Sequence, residues 1–361
     1  MAPYQTFAIV LDDGNTFYQP GDEVKGRIFL KLNRSMTIRR VSVGFHGEGH
    51  VTHYSNRTHY DFTQPYFHLY SVVYDCNNES AHQRLQGNFY PGEFSFPFAF
   101  RLPPVNLPSS YHDGTGSVRY WLESVIERSI WANEKTAVAI LVMEPVDVNS
   151  LEMQQPQSER KEMPICCCCV KGGKVNVSGK INKRGYYPGD IIESKLFIEN
   201  ESNREVTYTE FILKQKVTQQ YAKGEYSKKH KTITIASAKG IGVPVGQEKE
   251  FNNFRLTIPN GVPPSTTLED SIISVTYFVE MIAHVKGQCI CAANIEIPVT
   301  IGFISSPSGS VWSQEVLRAI AQLVNSQLEQ ERQSATQVQE MGADNQVQHD
   351  DQEMLVPPAH V

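Results

Sequence analysis

Two short stretches constrain this chain more than any other feature: Tyr18-Gln19-Pro20-Gly21-Asp22 and Tyr186-Tyr187-Pro188-Gly189-Asp190, which lie 168 positions apart. In each, proline presets φ and the glycine after it accepts a positive φ, so both favour a type II turn. Each turn opens an alternating run. Val24, Gly26, Ile28, Leu30 and Leu32 alternate with Glu23, Lys25, Arg27 and Lys31. Ile192, Ser194, Leu196 and Ile198 alternate with Glu193, Lys195 and Glu199. A period of two marks a strand with one buried face. Even the exception repeats, because an outward aromatic, Phe29 or Phe197, falls at the same step.

The correspondence continues along the chain. Phe98, Phe100 and Leu102 run into Pro103, as Phe254, Leu256 and Ile258 run into Pro259. Val118, Tyr120, Leu122 and Glu123 recur as Val275, Tyr277, Val279 and Glu280, with Trp121 matched by Phe278. The three signals keep their order while the offset drifts from 168 to 156 and 157, as loop-length differences between two copies would produce. The sequence therefore predicts a tandem duplication. Many short alternating runs are punctuated by Gly and Pro, and no helical period appears before residue 310. An apolar fraction of 40% suffices for two cores, so the predicted class is all-β, two tandem immunoglobulin-like β-sandwiches followed by a C-terminal helix and a disordered acidic tail.

The predicted divisions are a first domain over 1–149, a linker over 150–164, a second domain over 165–304 and a tail over 305–361. The segment 150–164 is polar and proline-bounded, which reads as an exposed linker. In the tail, Trp312, Val316, Ile320, Leu323 and Leu328 recur at helical spacing, predicting an amphipathic helix over 311–329 that packs on the body or on a partner. Beyond it the chain is Gln-rich and acidic. From Ser305 onward, two arginines face five glutamates and three aspartates, a net of −6 that equals the charge of the whole chain. The two-domain body is thus near neutral, which argues against nucleic-acid binding. The N-terminus lacks a basic segment followed by an apolar one, and no apolar run approaches the ~20 residues that span a bilayer. A cytoplasmic protein is expected, with the plasma membrane or endosomes as places of peripheral association.

Several clusters raise the question of chemistry. His46, His50, His53, His59 and His68 crowd the first domain, and His46-Gly47-Glu48-Gly49-His50 superficially suggests a zinc motif. That chemistry needs two histidines one helical turn apart, whereas these lie in strand-like sequence, so no metal is expected. Cys166, Cys167, Cys168 and Cys169 are adjacent, which suits neither one tetrahedral ion nor a disulfide. They are candidates for reversible S-acylation, or else Cys serves there as a small apolar strand residue. Cys289 and Cys291 share a strand face and read as core. A long hairpin from Val217 to Ile235 carries Lys223, Lys228, Lys229 and Lys231. These ammonium groups can receive phosphate or an acidic partner, or simply keep a loop solvated. Arg39 and Arg40 point to opposite faces of one strand, so one of them can be half-buried and paired. There is no G-x-S-x-G, no P-loop spacing around Gly172-Gly173-Lys174 and no convergent Cys/His/Asp set, so neither an enzyme nor a cofactor is expected.

Taken together these stretches resemble the alpha-arrestins, the arrestin domain-containing proteins, over about residues 5–304. The resemblance rests on Tyr18–Ile28, Ile38–Val43 and Val118–Glu123 in the first half. In the second half it rests on the cysteine cluster before a glycine, Arg184–Asp190, Ile198–Ser202, Tyr221–Gly224 and Ile297–Gly302. It implies two arrestin-type sandwiches of about seven strands each around a central hinge, without a catalytic site. It also implies an adaptor that holds membrane-protein cargo and brings endocytic sorting machinery or a ubiquitin ligase to it.

Many relatives recruit such ligases through P-P-x-Y motifs, but this tail offers only Pro357-Pro358-Ala359-His360. An imidazole does not replace the phenol that fills the ligase groove, so recruitment by that route is not expected. Another branch of the family engages thioredoxin through a second-domain cysteine, and no cysteine lies between Val170 and Gln288. The alternative reading is a structural subunit of a retromer-like sorting complex, which likewise needs no catalytic residue.

Overall fold

Gly21 takes φ 90° and Gly189 φ 93° in the computed structural model of the chain, and the same bonds form around both. The amide of Gln19 donates to Asp22 Oδ2 at 2.7 Å, and that of Tyr187 to Asp190 Oδ2 at 3.1 Å. The amides of Asp22 and Asp190 donate back to the carbonyls of Gln19 and Tyr187, each at 3.0 Å. Each aspartate thus fixes its turn with both side chain and backbone. The structure describes residues 4–303 apart from 13–16, 56, 78–86, 105–106, 129–131, 168–169, 225–226 and 288–292.

The described residues form strands throughout, with no helix. The first half contributes β1 (Tyr4–Leu11), β2 (Glu23–Leu32), β3 (Met36–Thr37), β4 (Arg40–Ser55), β5 (Thr58–Asp75), β6 (Asn88–Phe89), β7 (Gly92–Arg101), β8 (Tyr111–Asp113), β9 (Gly116–Glu127) and β10 (Glu134–Ile140). The second contributes β11 (Gln157–Cys167), β12 (Val170–Ile181), β13 (Gly185–Tyr186), β14 (Ile191–Ser202), β15 (Val206–Gln220), β16 (Lys228–Val243), β17 (Glu248–Thr257), β18 (Ile273–Val285) and β19 (Ala293–Ile301).

In the first sandwich the sheet β1-β2-β7 packs on β10-β9-β4-β5, with β8 beside β9. In the second, β11-β12-β14-β17 packs on β13-β19-β18-β15-β16. The duplication is therefore one of pairing as well as sequence, since β2–β7 corresponds to β14–β17 and β9–β4 to β18–β15. The alternation read from the sequence sets which face is buried. Val24, Ile28 and Leu30 have no exposed surface, and neither do Ile192, Leu196 and Ile198. Removing that apolar area from water is the main drive to fold.

One element differs from expectation. Residues 157–164, read as linker, belong to β11, whose Glu162 lies opposite Asn176 and whose Pro164 lies opposite Lys174. β11 is the edge of its sheet. It sends few side chains inward, chiefly Met163 and the buried Ile165. A polar composition and a proline are both tolerated at such an edge, which is why the segment looks like a tether. Only the turn before it, with Leu151 85% exposed, has the solvated character of a linker.

Candidate functional site at the domain junction

The two long hairpins, β4–β5 and β15–β16, reach across to the opposite domain. His53 of β4 lies with its ring 4.3 Å from that of Tyr221, and Tyr60 of β5 lies 5.2 Å from the same ring. Lys229 of β16 donates from Nζ to the Thr52 carbonyl at 2.8 Å. Burial pushes the Lys229 pKa down, while the charge of Asp113 opposes that shift. Small residues let the sheets approach: a methyl at Gly49 would collide with Ile272 and lie 2.7 Å from the Tyr66 hydroxyl.

Asp113, at the turn between β8 and β9, is the polar centre of this junction. Its Oδ1 accepts from the Thr115 amide at 2.8 Å, the Gly116 amide at 2.9 Å and the Thr115 hydroxyl at 3.0 Å. Its Oδ2 accepts from the Tyr111 hydroxyl, and Gln219 Nε2 of the second domain lies 3.1 Å from both oxygens. The Thr115 hydroxyl lies 3.0 Å from Gln219 Oε1, closing the ring of contacts. Burial alone would raise the carboxyl pKa, but the donors from Thr115, Gln219 and Tyr111 outweigh it and hold the group below its ordinary value. The Tyr111 phenol moves up, through burial and the neighbouring Asp113 charge.

A second contact across the junction joins Glu144, which follows β10, to the loop between β17 and β18. The Thr267 amide donates to Glu144 Oε1 at 3.3 Å and the Thr267 hydroxyl reaches the same oxygen. Glu144 is buried, and burial pushes its pKa up against these bonds. Beside it opens a cleft of about 440 Å³. Pro65, Tyr66, Pro103 and Pro108 of the first domain form one wall, and Leu268, Glu269, Asp270 and Ser271 of the second form the other.

The comparison with known families fits this architecture. The arrestin (or S-antigen) N-terminal domain matches residues 7–149 and the arrestin (or S-antigen) C-terminal domain matches residues 171–306. Arrestin domain-containing protein 1 of Homo sapiens is 25% identical over 310 residues, and that of Rattus norvegicus 24% over 307, each covering 84% of this chain. Arrestin domain-containing protein 4 of Homo sapiens is 31% identical over 231 residues, 62% of this chain and 53% of that protein. The chain belongs to the alpha-arrestins. It spans 66% of the length of the two type 1 relatives.

Within this alpha-arrestin the residues singled out from sequence are dispersed. Alternation along β16 puts Lys229 and Lys231 on the face of Gln219 and Val217, and Lys228 with His230 on the other. Lys223, Lys228 and Lys231 are exposed, whereas Lys229 is committed to Thr52, so the four do not form one receptive group. Cys166 lies opposite Lys171 and Cys167 opposite Val170, which puts these two cysteines where β11 meets β12. Cys168, Cys169, Cys289, Cys291 and the expected helix over 311–329 lie outside the described residues.

Arg40 pairs with Asp75 at 3.3 Å and Glu127 at 3.5 Å, while Arg39 is exposed. His46 stacks between His68, at 4.4 Å, and Trp121, at 4.9 Å, and burial together with His68 lowers its pKa. Sequence reasoning missed Asp113, Gln219 and Glu144. Asp113 and Gln219 are 106 positions apart, and nothing local marks either as a contact.

Proposed function

We propose that this alpha-arrestin is a non-enzymatic adaptor that binds cytoplasmic segments of membrane-protein cargo and links them to endocytic sorting or ubiquitination machinery. The observation that carries the reading is the cleft at the junction, which is built from loops of both domains and open to an extended segment. Its size falls within the ~300–1,000 Å³ common among binding sites. The titratable groups of the junction support binding over catalysis. Asp113 is held ionised by its donors and makes a poor base. The phenols of Tyr66, Tyr111 and Tyr277 are pushed up by burial and stay neutral.

The family relationship supports the adaptor role in general. Peripheral attachment through acylation of Cys166, Cys167, Cys168 and Cys169 fits the place of Cys166 and Cys167 at the end of β11, and acyl exchange on the isolated protein tests it. The exposed Lys223, Lys228 and Lys231 offer a contact for an acidic partner such as a ligase surface.

Affinity purification from a membrane fraction distinguishes this adaptor from a structural subunit of a retromer-like complex. An adaptor co-purifies with membrane proteins at variable, substoichiometric ratios, and does so with or without residues 305–361. Recovery of a fixed stoichiometric assembly without membrane proteins would favour the subunit instead.

A further inference from the structure

The geometry points to a basic, extended peptide as the occupant of the junction cleft, of the kind that flanks a transmembrane segment on its cytoplasmic side. This rests on the adaptor reading and adds the chemistry of recognition. Glu269 and Asp270 are adjacent at the cleft, both exposed, and among the described residues neither has a cationic partner. Elsewhere on this surface carboxylates are commonly matched, as Glu93 is by Lys31 and Glu123 by Lys135. Two neighbouring carboxylates left unpaired repel each other, and a cation bound between them relieves that repulsion.

The opposite wall has the same preference. Pro65, Pro103 and Pro108 bring no backbone N–H with which to hold an anion, and their rings give this side of the cleft an apolar surface. Lysine and arginine carry only donors, and their methylene stems suit proline rings and the face of Tyr66. A phosphorylated segment is disfavoured because its charge would meet Glu269 and Asp270. Cytoplasmic flanks of membrane proteins carry an excess of Lys and Arg, so the charge of the cleft is complementary to the class of segment an adaptor must hold. A cleft of about 440 Å³ admits a few side chains of an extended strand rather than a folded element.

The test uses the full chain and a labelled synthetic peptide alternating Lys and Val, followed by fluorescence anisotropy. A matched peptide with Glu in place of Lys and a phosphoserine peptide serve as the other arms. The expected result is binding of the Lys peptide alone, weakened about tenfold in the E269Q/D270N protein and weakened further by salt. The doubly reversed variant, Glu269→Lys with Asp270→Lys, should prefer the Glu peptide, which guards against a trivial loss of folding. Equal binding of the three peptides, or an affinity unmoved by E269Q/D270N, overturns the inference. If E269Q/D270N still captures the same membrane proteins as the unsubstituted chain, the cleft assignment fails and the adaptor role stands. If the unsubstituted chain captures none while Lys-peptide binding depends on both carboxylates, the adaptor role fails and the cleft chemistry stands.

Discussion

Tyr120 and Tyr277 make the same bond in different sandwiches: the Tyr120 hydroxyl donates to the Pro108 carbonyl at 2.7 Å, and the Tyr277 hydroxyl to the Pro263 carbonyl at 2.6 Å. Two residues beyond each proline a serine repeats the match. Ser110 donates its amide to Val142 and accepts from the Val142 amide with its hydroxyl, and Ser265 does both with Ile301. The two copies differ in one respect, since Tyr277 also accepts from Gln215 Nε2 at 2.7 Å. Tyr120→Phe is therefore expected to cost about 1 kcal/mol, the net worth of one hydrogen bond. Tyr277→Phe should cost more, about 1–3 kcal/mol, because it also leaves the buried Gln215 amide without its acceptor. Urea unfolding of the two variants measures the difference.

The duplicated turns should respond alike. Gly21 and Gly189 both hold a positive φ, at 90° and 93°, so an alanine at either position is strained whatever space surrounds it. Gly21→Ala and Gly189→Ala are each expected to lower stability by about 1–3 kcal/mol. Thermal unfolding should show shifts of the same sign for both, and a neutral effect at one turn would mean that the two turns are not equivalent.

Asp113 joins the domains through Gln219, and its carboxyl pKa is held down by its donors despite burial. A depressed pKa contributes stability that is present above the ordinary value of 3.8 and is lost as pH falls through the lowered one. Asp113→Asn should remove that loss at acid pH and lower stability at neutral pH by about 1–3 kcal/mol, the range for bonds to a charged acceptor. Combined with Gln219→Leu, the two changes should be less than additive, since they share one contact. Denaturant melts from pH 7 downward, read as a double-mutant cycle, give both answers.

Glu144 predicts the opposite pH dependence. Its pKa is raised by burial, so its stabilising contribution is complete below the ordinary value of 4.5 and is lost as pH rises through the raised one. Glu144→Gln keeps an acceptor for Thr267 and removes the buried charge. It should flatten the pH dependence above 4.5 and leave neutral-pH stability equal or higher. A loss of stability at neutral pH would show that the ionised carboxylate holds the junction.

The parts of this fold legible in the sequence are those written locally. A Pro-Gly turn and a period of two are contained within a few residues, so the paired strands β2 and β14 and the correspondence of Tyr120 with Tyr277 could be read directly. β11 could not, because an edge strand with mostly solvent-facing side chains has the composition of a linker. The junction was equally hidden. Asp113 and Gln219 are ordinary polar residues until the fold brings them within 3.1 Å, and Glu269 with Asp270 gains meaning only from the proline wall opposite. The lysines of β16 show the converse limit. Neighbours in sequence point to opposite faces of a strand, so Lys228 and Lys229 part company once the strand forms.

Proximity labelling in intact cells, with the label fused to the full chain, tests the adaptor role most directly. The expected result is that membrane proteins are labelled on their cytoplasmic segments, and that a chain lacking residues 305–361 labels them too. Labelling that finds no membrane protein above a soluble control would contradict it.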